Sequence, residues 1–453
     1  MNRGDTPLGW IGIIRLGLVQ TALGAIVVLT TSTLNRVMVV ELALPAMLPG
    51  ALVALHYAVQ ITRPRWGHGS DKGGRRTPWI VGGMAVLALG GVGAAWSTAI
   101  MAENQVLGTV LATIAFTFIG GGVGAAGTSL LTLLATRVDE KRRAPAATIV
   151  WVMMIIGFIL TAGIAGANLD PFTTTRLVIV TSIVSAIAML VTLVAVWGVE
   201  GRGAASPDLA RQETAKIPFR TVLAETWNEP EARQFSIFVF ASMLAYSAQD
   251  LILEPFAGAV FGFTPGESTQ LSGTQHGGVL LGMIVVAIAG NGIRGRRFGS
   301  LRAWTVGGCA GSALALFALA FGGTVGPTWP LAANVFLLGV ANGAFAVAAI
   351  GSMMGLAGKG GKNREGVRMG LWGASQAIAF GLGGFVGTVG VDVVRGLTGS
   401  VGLSYMTVFV LEGCVFLLSA ALAARISFGV ISETKNRLST AGDGYLAGVG
   451  GPG

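Results

Sequence analysis

The sequence predicts an all-α integral membrane protein with twelve transmembrane helices in two pseudo-symmetric six-helix halves, and three observations carry that expectation. The 453 residues are 53% hydrophobic and only 11% charged, with a mean hydropathy of +0.71. Such a chain is too apolar to present a water-facing surface. Twelve apolar runs approach or exceed the roughly 20 residues that a span requires. One long polar stretch, 199–233, divides them six and six.

In chain order the runs cover roughly 11–34, 42–62, 79–99, 106–135, 146–167, 176–198, 234–253, 271–290, 302–323, 330–357, 367–390 and 404–428. This places the first half at 1–199, a cytoplasmic linker at 200–233, the second half at 234–430 and a polar tail at 431–453. Glycine supplies 70 residues, lying inside the apolar runs rather than in repeats. That distribution predicts close helix packing. The segments GGGVGAAG (Gly120 to Gly127) and GLGGFVGTVG (Gly381 to Gly390) are the densest cases; a smooth wall for a flat ligand or a partner helix is the alternative use.

Orientation follows from the basic residues. The termini and the even-to-odd loops together hold 27 of the 30 Lys and Arg, and the other face holds only Arg36, Arg176 and Arg395. Both termini are therefore expected in the cytoplasm. This clustering between spans also explains the net charge of +9 without nucleic acid. Cys309 and Cys414 lie within apolar runs and imply no disulfide framework. The N-terminus, MNRGDTPLGW, carries one arginine and no small-residue cleavage site, so no cleaved signal peptide is expected.

The linker reads in two parts. Residues 200–215 look flexible. From Lys216, Pro218 stands near a helix start, and Phe219, Val222, Leu223 and Trp227 share one helical face. A short helix lying on the cytoplasmic surface, or a connector packed on the bundle, fits that pattern. The tail after Ser432 is glycine-rich and expected to be disordered.

Between the second and third spans, RPRWGHGSDKGGRRTP carries Gly67, Asp71, Lys72, Gly74, Arg75 and Arg76 in the pattern G-x-x-x-D-[RK]-x-G-[RK]-[RK]. The glycines allow a tight turn and close helix approach. Asp71 is suited to pair with an arginine or cap a helix. The arrangement suggests a cytoplasmic latch on Asp71, Arg75 and Arg76. In position and spacing the loop resembles the signature of the major facilitator superfamily. Its counterpart in the second half, GNGIRGRRFGSLR from Gly290, has Arg294 where the aspartate would fall, so any latch is asymmetric.

Leu34 to Ala46 (LNRVMVVELALPA), Ala54 to Ile80 and Ala248 to Gly258 (AQDLILEPFAG) narrow the resemblance. Together they are similar to the PucC and LhaA proteins of purple phototrophic bacteria, the bacteriochlorophyll delivery branch of that superfamily. The resemblance implies a light-harvesting antenna assembly factor in the bacterial inner, intracytoplasmic membrane. Bacteriochlorophyll a or a late precursor is the implied cargo. Antenna polypeptides of the core (LH1) or peripheral (LH2) complex are the implied partners, with the reaction-centre core or pigment-synthesis enzymes besides. No redox cofactor or structural metal is implied.

Ionisable groups inside spans are costly and mark cavities or partners. Arg36 and Glu41 flank the outer end of span 1, and Asp250 and Glu254 flank that of span 7. Under two-half symmetry these ends meet. Arg36 is then expected to pair with Asp250 or Glu254 and close the periplasmic side, unless headgroups and water hold the charges. His56 in span 2 and His276 in span 8 are positional counterparts and candidate ligands for the magnesium of a chlorin. A hydrogen bond to a neighbouring helix is the plainer role for each. Arg15, Gln60 and Glu412 are further interior candidates, Arg15 with the option of snorkelling.

Three function classes stay open: pigment-delivering assembly factor, proton- or sodium-coupled solute carrier, and pigment-free antenna scaffold. Solute carriers converge polar groups at mid-membrane, whereas the obvious charges here fall nearer the span ends. No nucleophile with its base and no metal-ligand cluster is recognisable, so no catalytic residues are expected.

Overall fold

The computed structural model describes residues 8–62, 75–200, 227–291, 299–357 and 365–426. Among them the first half contributes α1 (Trp10–Glu41), α2 (Met47–Val59), α3 (Thr77–Met101), α4 (Gln105–Arg137), α5 (Glu140–Leu169) and α6 (Thr174–Val196). The second contributes α7 (Pro230–Phe261), α8 (Pro265–Asn291), α9 (Leu301–Val325), α10 (Leu331–Ala357), α11 (Glu365–Thr398) and α12 (Val401–Arg425). Eleven are long and apolar enough to cross a membrane, and α2 is the short one. The linker pattern at 216–226 and the tail after 426 lie outside the described residues.

The twelve apolar runs reappear as helices, with two revealing differences at their ends. The first apolar run ends near 34, but α1 continues to Glu41. Its last third contains two π-helical stretches, Leu29–Thr33 and Val37–Glu41, around one α-helical segment, Leu34–Arg36. Hydroxyls of Thr30 and Thr31 bond back to the carbonyls of Ile26 and Val27 at 2.9–3.1 Å. Such back-bonding loosens the regular i to i−4 ladder, and π turns accommodate the extra residues. The chain then reverses through Ala43, which has φ 51°, and Pro45. α2 therefore begins at Met47 and closes on a 3₁₀ turn, Gln60–Thr62.

Span 7 likewise extends beyond 253. α7 runs through Pro255 to Phe261 and ends on left-handed Gly262. At about 1.5 Å per residue its 32 residues, like the 32 of α1, measure about 48 Å, longer than the roughly 30 Å hydrocarbon layer. Both helices must tilt or protrude.

Two apolar cores result. One is built from side chains of α1–α6, the other from α7–α12. Leu251 of α7 joins the first, while Val39 of α1 and Ala46 join the second. Within each half corresponding helices pack: α1 on α5 and α6, α3 on α4; α7 on α11 and α12, α9 on α10. The halves meet mainly along two seams, α2 against α11 and α5 against α8.

The glycine clusters are packing surfaces. A Cβ at Gly122 of α4 would lie 2.7 Å from the Gly83 carbonyl oxygen of α3, and one at Gly387 3.0 Å from Ala248 Cβ. At Gly122 only hydrogen fits, and at Gly387 a side chain would have to push Ala248 aside. Leucines such as Leu89 and Leu314, each 67% exposed, look outward, as lipid contact requires.

Candidate functional site

Between the seams, one face of α7 presents Tyr246, Gln249, Asp250 and Glu254, spaced to share a helical stripe. α8 answers with Ser272, Gln275 and His276 at the i, i+3 and i+4 positions. Gln275 Nε2 donates to Asp250 Oδ1 at 3.1 Å. Glu254 is 1% exposed and lies beside Ser32 and Arg36 of α1 and Ser272 of α8. Neither of its carboxylate oxygens has a hydrogen-bond partner among the described residues. Gln249 is fully buried, and both atoms of its amide are in the same condition.

Glu412 falls midway along α12, 5% exposed and without a hydrogen-bond partner among the described residues. This corrects the expectation that the charges lie near the span ends. The longer α7 moves Asp250 and Glu254 inward, while Glu412, expected as an interior group, lies midway along α12.

Arg36 is 2% exposed, and its expected pairing is also corrected. Its ion pair is with Glu41, on its own helix, rather than with Asp250 or Glu254. The five-residue separation suits the π-helical Val37–Glu41 turn. Arg36 nevertheless reaches the other half: Nη2 donates to the Phe263 carbonyl at 2.6 Å, and the guanidinium packs over Gly258.

The two histidines differ. His56 is 1% exposed, and its Nε2 lies 2.9 Å from Gln60 Nε2. An amide nitrogen can only donate, so that ring nitrogen serves as acceptor. His276 is half-buried, with Nδ1 2.8 Å from the Ser272 carbonyl and its ring 4.8 Å from Phe158 of α5. A carbonyl can only accept, so Nδ1 carries the proton and Nε2 keeps its lone pair. That Nε2 has no hydrogen-bond partner among the described residues.

On the basic face, Gly67, Asp71, Lys72 and Gly74 of the loop motif lie outside the described residues. Arg75 is exposed. The Arg76 backbone nitrogen and both Thr77 donors bond to the Glu200 carboxylate at 2.7–2.9 Å, which caps the start of α3. Arg15 reaches the carbonyls of Val194 and Trp197 at the end of α6. A cation there complements the helix dipole.

Sequence reasoning missed Tyr246, Gln249, Gln275 and Glu200. The glutamines and the tyrosine are uncharged and drew no attention in apolar runs, although Gln249 and Asp250 follow Tyr246 by three and four residues, as Gln275 and His276 follow Ser272, and that spacing was a usable signal.

Comparisons with known proteins agree with this architecture. A family model described as PUCC protein matches residues 33–430. The "Bacteriochlorophyll synthase 44.5 kDa chain" of Rhodobacter capsulatus is 52% identical over 423 residues, covering 92% of this chain and 96% of that protein. The "Protein PucC" of Cereibacter sphaeroides is 31% identical, covering 91% and 93%. Among solved structures, the nucleoside transporter NupG superposes with a TM-score of 0.64 at 14% identity, over 92% of this chain and 98% of that one. A structure from the proton-dependent oligopeptide transporters gives 0.66 at 14%, with the same coverage. At such identities the likeness concerns the fold alone, and the fold is that of major facilitator transporters.

Proposed function

The chain belongs to the PucC protein family, and from that membership we propose that it handles bacteriochlorophyll a, or a late precursor, and presents it to light-harvesting polypeptides as they insert. Two named relatives support a pigment-related role, one through "bacteriochlorophyll" in its name. The word synthase belongs to that relative. For this chain the reading is carriage, without bond making. The setting is the intracytoplasmic membrane with both termini cytoplasmic, as the distribution of 27 and 3 basic residues suggests.

The observation that carries the reading is the state of His276. Its Nδ1 proton is held by Ser272, and Nε2 has no hydrogen-bond partner among the described residues, on a half-buried ring between α8 and α5. A neutral imidazole with a clear Nε2 is the donor that the magnesium of a chlorin accepts. His56 fits less well, because its Nε2 already takes a hydrogen from Gln60. Absorbance of the protein purified in mild detergent tests the proposal. Near-infrared bands in stoichiometric amount are expected, and a colourless protein from a pigmented host defeats it.

A second reading, a proton-coupled carrier of small solutes, is favoured by the buried Glu254 and Glu412, whose carboxyl oxygens have no hydrogen-bond partner among the described residues. Proton uptake by proteoliposomes that follows an added solute gradient would support it over pigment carriage. A colourless protein that still binds antenna polypeptides would support the pigment-free scaffold.

A further inference from the structure

At each seam between the halves a carboxylate from one half accepts two hydrogen bonds at the start of a helix in the other, two backbone amides at α2 and one hydroxyl and one amide at α8. Asp392, near the end of α11, accepts hydrogen bonds from the Ala46 nitrogen at 3.0 Å and the Met47 nitrogen at 2.7 Å, where α2 starts. Asp170, immediately after α5, accepts from Thr264 Oγ1 at 2.6 Å and from the Gly266 nitrogen at 3.3 Å, where α8 starts. Exchange of the halves carries α2 onto α8 and α11 onto α5. The two contacts are therefore one device repeated by the pseudo-twofold axis.

The surroundings repeat as well. Gly50 in the first turn of α2 backs onto Thr388 of α11, and Gly266 in the first turn of α8 backs onto Gly166 and Asp170. In each case a side chain would force the seam apart. Each aspartate also meets the positive end of a helix dipole, which adds to the two hydrogen bonds. Both caps lie on the face poor in Lys and Arg. Further side-chain bonds between the halves fall in the same part of the bundle: Thr33 to Thr269 at 3.0 Å, Asn35 to the Leu251 carbonyl and Arg36 to the Phe263 carbonyl.

We propose that Asp170 and Asp392 form a symmetric lock that holds the Lys- and Arg-poor face shut, and that the chain opens this face by releasing both caps as the halves rock. Helix-end hydrogen bonds suit such a switch, since water takes over the freed amides and carboxylates when the seam parts. The lock does not depend on what the cargo is. It acts on the rigid halves, so it applies equally to a pigment carrier and to a solute carrier.

Spin labels test it on the full chain in detergent or nanodiscs. Glu103→Cys, in the α3/α4 turn, and Thr328→Cys, in the α9/α10 turn, place one exposed label on each half away from the caps. Cys414→Ser removes the exposed native thiol. With Asp170→Asn and Asp392→Asn together, the label-to-label distribution is expected to shift to longer separation, and each single variant to give part of the shift. An unchanged distribution in the double variant, or a shift from one aspartate only, overturns the symmetric lock. Should an Asn variant fail to fold, Ala46→Pro and Thr264→Val delete one donor at each cap while leaving the carboxylates in place. The same lengthening is expected from that pair, and its absence is equally fatal.

Discussion

Gln275 of α8 donates its side-chain amide to Asp250 of α7 at 3.1 Å, an uncharged side chain supporting a carboxylate inside the membrane. Replacing Gln275 by Leu leaves Asp250 without this donor. The cost expected is about 1–3 kcal/mol, the penalty for orphaning a buried polar group. Asp250→Asn keeps an acceptor oxygen in the same place and should cost less than Gln275→Leu. Thermal unfolding in detergent ranks the two, and the reverse order would mean that the bond contributes little.

That contact also shows where reading the sequence stops. Hydropathy and the Lys/Arg distribution depend on local composition, so the twelve apolar runs could be located and an orientation expected without coordinates. Gln275 and Asp250 stand 25 residues apart on different helices, and no local pattern brings them together. The end of α1 departs from the apolar run for another reason. The apolar run thins at Arg36, yet π turns keep the helix going and place the Glu41 charge over that of Arg36. α-Helical spacing would have pointed Glu41 elsewhere. The loop motif was the plainest signal in the sequence, and the described part of its neighbourhood adds the Glu200 cap that the motif does not encode.

The histidines make the pigment reading decisive at single residues. His276→Ala removes the clear Nε2 and is expected to abolish pigment copurification, while His56→Ala keeps it. His276→Ala also leaves the Ser272 carbonyl to its own helix, so the fold should survive. Retention of near-infrared absorbance by the His276 variant, in a monodisperse protein, would transfer the ligand role elsewhere.

Glycine positions on α4 should separate by side. Gly122 packs on α3, where a Cβ would meet Gly83 oxygen and Leu87 Cα at 2.7 Å. Gly122→Ala is expected to cost about 1–3 kcal/mol through overpacking. Gly121, its neighbour, has nothing within 4 Å and lines an open apolar groove of about 340 Å³ with Gly82 and Val86. Gly121→Ala should stay within about 0.5 kcal/mol of the parent or gain helix propensity. Melting temperatures of the two variants check this, and equal losses would mean the groove is filled by something that needs the glycine.

The Arg36–Glu41 pair makes the sharpest stability test, because the sequence pointed to other partners. Arg36 is 2% exposed and Glu41 33%. Removing Glu41 leaves a buried guanidinium with the Phe263 carbonyl, at 2.6 Å, as its acceptor among the described residues. Breaking a buried pair from one side costs about 3–5 kcal/mol, and the exposure of Glu41 places Glu41→Gln at or below the lower end of that range. Charge exchange then distinguishes partners. Arg36→Glu combined with Glu41→Arg should recover part of the loss of each single reversal, since the two sites are in contact and couple. Arg36→Glu combined with Glu254→Arg should recover less, because Glu254 makes no ion pair with Arg36 and would place a long cation among Ser32 and Ser272. Thermal unfolding of the two cycles, read as interaction free energies, decides between Glu41 and Glu254. Rescue at Glu254 alone would restore the cross-half pairing and remove Glu41 from its role.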